Sequence, residues 1–403
     1  MLQDKRLPDE LRELAREPLL LYLLAAMHRD GELRLEMFEG VEAARAKILI
    51  YEKTLDWVLT KQRPDWLNRQ LTAMETEWLR RILAEAALCV VQSGGECALI
   101  GMVKERIKDN DSAAGLIEQA HERLGDDALK NALAAFYLQP SVVDKGGSVE
   151  FAHKSFSEFL FAQLLKESLE EWTVPGRRGE EFLVKNGQMA WEIYDLLGYG
   201  GLTPEIVEYL MGLLTPPAPL GKGGAREGEF RPVELFKRLE NFYLRWCDGE
   251  FIDALQDNYP QKKMSQLQGQ GIKTGVRHVD VYAGLNVMIL LLELNRYAYS
   301  RDDLKDEIAF YPCSKPDTES FDNFRLHRII GYSDCTNSST FVMVVKSFLS
   351  GAYLCNVYLC RADLSGADFH NIFWDEYTTW EGVSGLETLV NMPEAIKQQL
   401  GLG

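Results

Sequence analysis

The sequence predicts a mainly α chain with a small β part, ending in a short coil of five-residue period. Three observations carry that prediction. Apolar residues recur at helical spacing over most of the chain. The period drops to that of paired strands around 136–152, and a helical stripe follows at once. From Leu349 the repeat becomes five, which neither helix nor ordinary strand can sustain.

Taken in order, Asp9 caps a short helix to Arg16, and Pro18 suits the first turn of a second, LLLYLLAAMHRDG, closed by Gly31. Val41 to Thr60 places Ala44, Ile48, Tyr51, Leu55 and Leu59 on one stripe. A further helix runs from Thr76 to Gln92, where Ser93-Gly94-Gly95 ends it. Shorter helices are expected at Cys97–Lys108, Ala113–Leu124 and Asp127–Ala135. Strands at Phe136–Val143 and Val149–Ala152 flank the turn Asp144–Gly147, and a helix takes over from Ser155 to Leu169. Helices, then a hairpin, then a helix is the order of a winged-helix domain.

Glu181–Leu214 reads as two or more helices around Gly198–Gly201, and further helices are expected at Val233–Cys247 and Val279–Tyr299. Residues 215–228 are too dense in Pro and Gly to pack a core and form a flexible insertion. Phe310–Asn337 has no readable period. Arg277-His278-Val-Asp280 is the densest polar cluster, and a salt bridge at a helix start accounts for it. Arg238 to Trp246 reads as an amphipathic core helix.

In the C-terminal repeat, Leu349, Leu354, Leu359, Leu364, Phe369 and Trp374 form one register. Ser347, Ala352, Val357, Ala362, Ala367 and Ile372 form another, two residues earlier. A square coil explains the alternation: each pentapeptide makes one face, the large residue fills the axis, and only a small one fits two positions before it. RADLSGADF resembles the pentapeptide-repeat family, which implies a right-handed quadrilateral β-solenoid. Thirty or so residues make one to two coils, too little core to stand alone, so both ends need a cap. Leu386–Leu400 offers one, with Pro393 at a helix start, and the tract before Ser347 must supply the other. Cys355 and Cys360 each follow an axial residue and should point outward.

Two further segments carry a resemblance. LAREPLLLYLLAAMHRDGEL (Leu14–Leu33), followed by Ile50-Tyr-Glu-Lys53, and FAHKSFSEFL (Phe151–Leu160) together resemble the helical and winged-helix parts of a NACHT-type STAND NTPase. That group includes the NOD-like receptors and many bacterial signalling proteins, and the fusion to pentapeptide repeats has a cyanobacterial-like cast. The resemblance implies that Pro18, in the family's PLLL segment, lies against the adenine ring. It implies that His153, in F-x-H, reaches the β-phosphate of ADP in the closed state, where an imidazole can donate a hydrogen bond or a charge. Each has a plain alternative: Pro18 as an ordinary helix-start proline, His153 as a core or capping residue.

A phosphate-binding loop needs G-x-x-x-x-G-K-[ST], and neither Gly221-Lys222 nor Gly269–Thr274 supplies it. No apolar run ends in paired acids, no hydrolase or zinc-protease motif occurs, and the six histidines show no ligand spacing. The expectation is a non-enzyme chain without cofactor or metal of its own, with ADP or ATP implied only for a parent that carries an NTPase core. Seven cysteines without a CxxC pair read as free thiols, and the charged N-terminus and interrupted apolar run Leu285–Leu294 argue for a cytoplasmic, non-membrane protein. A net charge of −17 argues against nucleic acid, as do Glu158, Glu167, Glu170 and Glu171 beside Lys154 and Lys166.

The domains that result are a helical part (1–70), a winged helix (71–172), a helical connector (173–340), the solenoid (341–380) and a capping helix (381–403). The function expected is the regulatory, sensor portion of a STAND-type switch that recognises a protein partner, oligomerisation on activation being compatible with it. The alternative is a DNA-mimicking pentapeptide-repeat inhibitor of a DNA-processing enzyme, against which the shortness of the coil counts.

Overall fold

A computed structural model of the chain describes residues 18–38, 41, 43–62, 76–94, 97–108, 139–140, 148–151, 153–176, 181–215, 230–256, 258–360, 362, 364–365 and 367–400. The helices expected at 9–16, 113–124 and 127–135, the turn 144–147, and all but Thr215 of the 215–228 insertion lie outside them. The chain divides into two units, Met1–Ser168 with Glu205–Gly223, and Leu169–Pro204 with Gly224–Gly403.

The first unit begins with α1 (Pro18–Arg29) and α2 (Ala43–Trp57), the latter running into a π-helical turn at Val58–Gln62. The expected stripe is the buried one: Ile48, Tyr51, Leu55 and Leu59 are all within 1% of full burial. Trp57 Nε1 donates to Asp30 Oδ2 at 3.1 Å, joining the end of α2 to the end of α1. Next comes α3 (Thr76–Gln92). Its Glu85, 3% exposed, is a buried carboxylate that survives because Arg81 and Arg106 each approach it to 2.8 Å.

The segment expected to be helical from Cys97 starts instead as a strand, β1 (Cys97–Leu99), and becomes α4 (Ile100–Lys108) only afterwards. Pairing explains the difference. β1 runs antiparallel to β3 (Ser148–Glu150), and β3 pairs on its other edge with β2 (Gln139–Pro140), giving the order β1-β3-β2. Pro140, which has no N–H to donate, sits in an edge strand. The helix α5 (Lys154–Trp172) follows directly. Its Phe156 and Phe159 meet Tyr51 of α2 at ring-centroid distances of 5.1 and 5.4 Å. Tyr209 of α7 (Pro204–Leu214) completes the cluster, 5.6 Å from Tyr51.

In the second unit α6 (Asn186–Leu197), α8 (Pro232–Cys247) and α9 (Tyr259–Gly269) pack on α10 (Val276–Tyr299). The short α11 (Arg325–Asp334) and α12 (Thr340–Val345) also lie against it. With 24 residues α10 is about 36 Å long, and it is covered on nearly every side. Gly284 is one condition of that packing: a Cβ there would fall 2.0 Å from the Trp246 ring. The buried polar residues of α10 are each answered. Asn286, fully buried, donates to the Leu197 and Gly200 carbonyls at 2.8 Å and accepts from Leu202 N–H at 2.9 Å, clasping the turn after α6.

Asp280 does not form the helix-start salt bridge expected of it. At 1% exposure it accepts from Tyr194 Oη at 2.6 Å, Tyr332 Oη at 2.8 Å and Trp246 Nε1 at 3.0 Å. Burial pushes its carboxyl above the ordinary range, although the three donors pull the other way. Helix α11 also lies within a stretch that showed no period. No described helix is long and apolar enough to cross a membrane.

Candidate recognition surface and nucleotide-contact residues

The five-residue ladder becomes stacked coils through backbone bonds. Leu354 N–H donates to Phe373 O at 2.7 Å, and Phe373 N–H donates to Ala352 O at 2.9 Å. The same exchange joins Leu359, Thr379 and Val357, then Leu364, Ser384 and Ala362, then Phe369, Val390 and Ala367. Parallel bridges pair Tyr353 with Phe373, Tyr358 with Thr379 and Asp368 with Val390. The coils thus continue to Val390, past Trp374, the last member of the expected register, and past the expected domain end at 380.

The bridge offsets grow from 20 (353 to 373) through 21 (358 to 379) to 22 (368 to 390), so the second coil carries two one-residue insertions. Trp374, which follows Phe373 and so stands opposite Leu354, is only half-buried; the first insertion falls after it, and Trp380, 7% exposed, stands opposite Leu359 and packs against Phe369. Asp375 makes the bulge tolerable. Its Oδ1 accepts from the backbone N–H groups of Asn356, Tyr377 and Thr378 at 2.7, 3.1 and 3.0 Å. Leu349, Leu354, Leu359, Leu364 and Phe369 are buried, as are Ala352, Val357, Ala362, Ala367 and Ile372. Ser347 is exposed, in a 3-10 turn that precedes the coil. Cys360 is buried rather than outward-pointing, and Cys355 is half-buried. Asn356, Asn371 and Asn391 take left-handed φ values of 53–54° at coil turns, a conformation asparagine tolerates better than most residues.

Both ends of the stack are met. Tyr358 N–H donates to Asn323 O and Asp368 N–H to Lys346 O, each at 2.9 Å, so the tract before the coil supplies a partial rung above it. Arg296 of α10, paired with Glu293 at 2.6 Å, donates to the Phe348 and Ser350 carbonyls at 3.1 Å. At the other end lies α13 (Glu394–Leu400), where Ile396 is fully buried.

Tyr353 and Tyr358, each one residue before an axial leucine, are only half-buried and meet rings from outside the coil. Tyr358 meets Phe324 at 4.7 Å and His327 at 5.2 Å, while Tyr353 meets Tyr311 at 4.6 Å. Phe373 stacks on Tyr353 at 4.4 Å with an interplanar angle of 17°, and Tyr299 lies 5.8 Å beyond it. A four-ring row therefore crosses two coils and ends at Tyr299, which is 62% exposed.

Pro18 is the first residue of α1, where its missing N–H costs no helical bond, and its side-chain surroundings lie outside the described residues. His153 immediately precedes α5. Its Nδ1 accepts from Ser155 N–H at 3.2 Å, and its carbonyl accepts from Phe156 N–H at 3.1 Å. It thus caps the start of α5. Four residues after Lys154, Glu158 is 3% exposed and meets Lys154 Nζ at 3.1 Å. No group of acidic, histidine or cysteine side chains among the described residues could hold a metal ion, and all seven cysteines are free thiols.

Among known families, Pentapeptide repeats (8 copies) matches residues 346–372. No curated protein and no solved structure matches the chain.

Proposed function

We propose that this chain is the regulatory and partner-recognising portion of a STAND-type switch, in which the stacked coils serve as a protein-interaction surface and no chemical step is catalysed. The observation that carries the recognition part is the aromatic row that crosses the coils at Tyr353 and Phe373 and ends at exposed Tyr299. Aromatic anchors of this kind contribute large contact area at small entropic cost, which is why they dominate interaction hot spots. We take the coils to be a short right-handed quadrilateral solenoid. At about 4.8 Å per rung, two coils rise only about 10 Å, which weighs against a DNA-mimicking rod.

The switch part rests on the first unit. Helices α3 and α4, a sheet of order β1-β3-β2 and a helix after β3 agree with a winged-helix domain. His153 lies at its last strand–helix junction, with its imidazole as the group that would face a phosphate. An NTPase core, in the same reading frame or on a partner chain, would supply the bound ADP, and Pro18 and His153 would contact it. The test is nucleotide retention in the complete switch. His153→Ala is expected to speed ADP release and raise basal signalling, and an unchanged release rate would remove His153 from the mechanism.

A further inference from the structure

Around Asp280, walled by the end of α8, the start of α10 and α11, lies a cavity of about 320 Å³. Three arginines line it, and their charges are unequally answered. Arg328 pairs with Asp322. Arg325 does not pair with any described carboxylate. Only 8% exposed, it donates from Nη1 to Ser314 Oγ at 2.6 Å and from Nη2 to Ser320 O at 3.0 Å, both neutral acceptors. Glu240, whose carboxyl burial pushes upward, and Asp322, which is paired with Arg328, sense its charge from beyond ion-pairing distance. Arg277 lies 5.6 Å from the Tyr332 ring and has no carboxylate within ion-pairing distance among the described residues.

The acids in the cavity do not repair this. The Asp280 oxygens are taken by Tyr194, Trp246 and Tyr332. Asp253 is exposed, at the rim. The Cys247 thiol is no counter-ion either, since burial pushes its pKa to about 12 and keeps it protonated. A buried guanidinium with no carboxylate at ion-pairing distance is costly, and a cavity beside it gives room for an anion at closer range. The remaining wall is apolar: Ile252, Ile329 and the Trp246 ring.

We propose that this cavity binds a small organic anion, whose single carboxylate or phosphate group is held by Arg277 and Arg325 and whose apolar body rests against Trp246, Ile252 and Ile329. Asp253 at the rim disfavours a second charge on the ligand. The site lies wholly within the second unit and does not depend on the switch reading of the first.

The test is titration calorimetry on the full chain with phenyl phosphate, phenylacetate and neutral benzyl alcohol. At least one of the two anions should bind and the alcohol should not, and the tighter anion identifies the headgroup. Arg277→Gln should weaken that binding by roughly tenfold or more, the usual range for a lost charge-assisted bond. Arg277 is exposed, so the variant keeps its fold, which circular dichroism checks. Arg301→Gln, an exposed arginine paired with Asp303, should leave binding unchanged. Failure of both anions to bind, an unaffected Arg277→Gln, or equal weakening by Arg301→Gln would each overturn the proposal.

Discussion

Replacing Asp280 by alanine removes the acceptor that holds three aromatic side chains from three other helices. The consequence differs for each donor. Trp246 Nε1 keeps a partner, because it also donates to the Asp280 backbone carbonyl at 3.0 Å. Tyr332 borders the cavity, where water can take over. Tyr194 is fully buried and loses its only described acceptor, which costs about 1–3 kcal/mol, and loss of the charged bonds raises the total. Relief of the buried carboxylate's desolvation offsets part of this. The expected destabilisation of Asp280→Ala is about 2–4 kcal/mol, and that of Tyr194→Phe about 1–2 kcal/mol. Because both delete the same bond, the double variant should lose at least about 1 kcal/mol less than the sum, measured by urea unfolding. Additivity within about 0.5 kcal/mol would refute the network. The pH dependence has a definite sign. A carboxyl raised above its ordinary 3.8 binds more protons folded than unfolded, so its contribution to stability is greatest below 3.8 and falls as pH rises through the folded value. The stability advantage of the native protein over Asp280→Asn should therefore shrink as pH is raised from 4 towards neutrality.

Three other perturbations probe different joints. Asn286→Leu leaves two carbonyls and the Leu202 N–H without partners, and should cost about 3 kcal/mol with faster hydrogen exchange at Leu202. Gly284→Ala drives a methyl into the Trp246 ring and should cost about 1–3 kcal/mol, with a shifted tryptophan emission as the local signature. Arg106→Ala strips one of two guanidiniums from buried Glu85 and should destabilise the first unit by about 2–3 kcal/mol in chemical denaturation, whereas an exposed pair such as Lys305–Asp302 should give under 1 kcal/mol.

What could be read from the sequence follows from how local each cause is. The helix Thr76–Gln92 carries its apolar stripe and its Ser-Gly-Gly stop in one continuous stretch, so its bounds were legible. The coil was legible because neither a helix nor a flat strand sustains a five-residue period, and the family match at 346–372 coincides with it. Its extension to Val390 was hidden by the insertions, which break the period just where Asp375 absorbs the extra backbone donors. β1 is a strand only because β3, some fifty residues later, pairs with it, and nothing in ECALIG announces that. Likewise the donors to Asp280 lie 86, 34 and 52 residues away in sequence, so a polar cluster at a helix start was all that showed. Helix α9 is polar enough to escape a periodicity search, although Asn258 caps it by accepting from Gln261 N–H at 2.9 Å. The buried, carboxylate-free Arg325 depends on tertiary packing and left no trace in the sequence.

The most direct test of the switch reading separates the two roles that His153 can play. Asparagine is a good N-cap and can replace the Nδ1 acceptor for Ser155 N–H, but it is too short to reach a phosphate as the imidazole would. The measurement is the ADP dissociation rate from the complete switch carrying His153, His153→Ala or His153→Asn. Both variants are expected to release ADP roughly tenfold faster or more, with Asn restoring thermal stability but not retention. Retention restored by Asn, or unchanged in both variants, would contradict it and leave His153 as a helix cap alone.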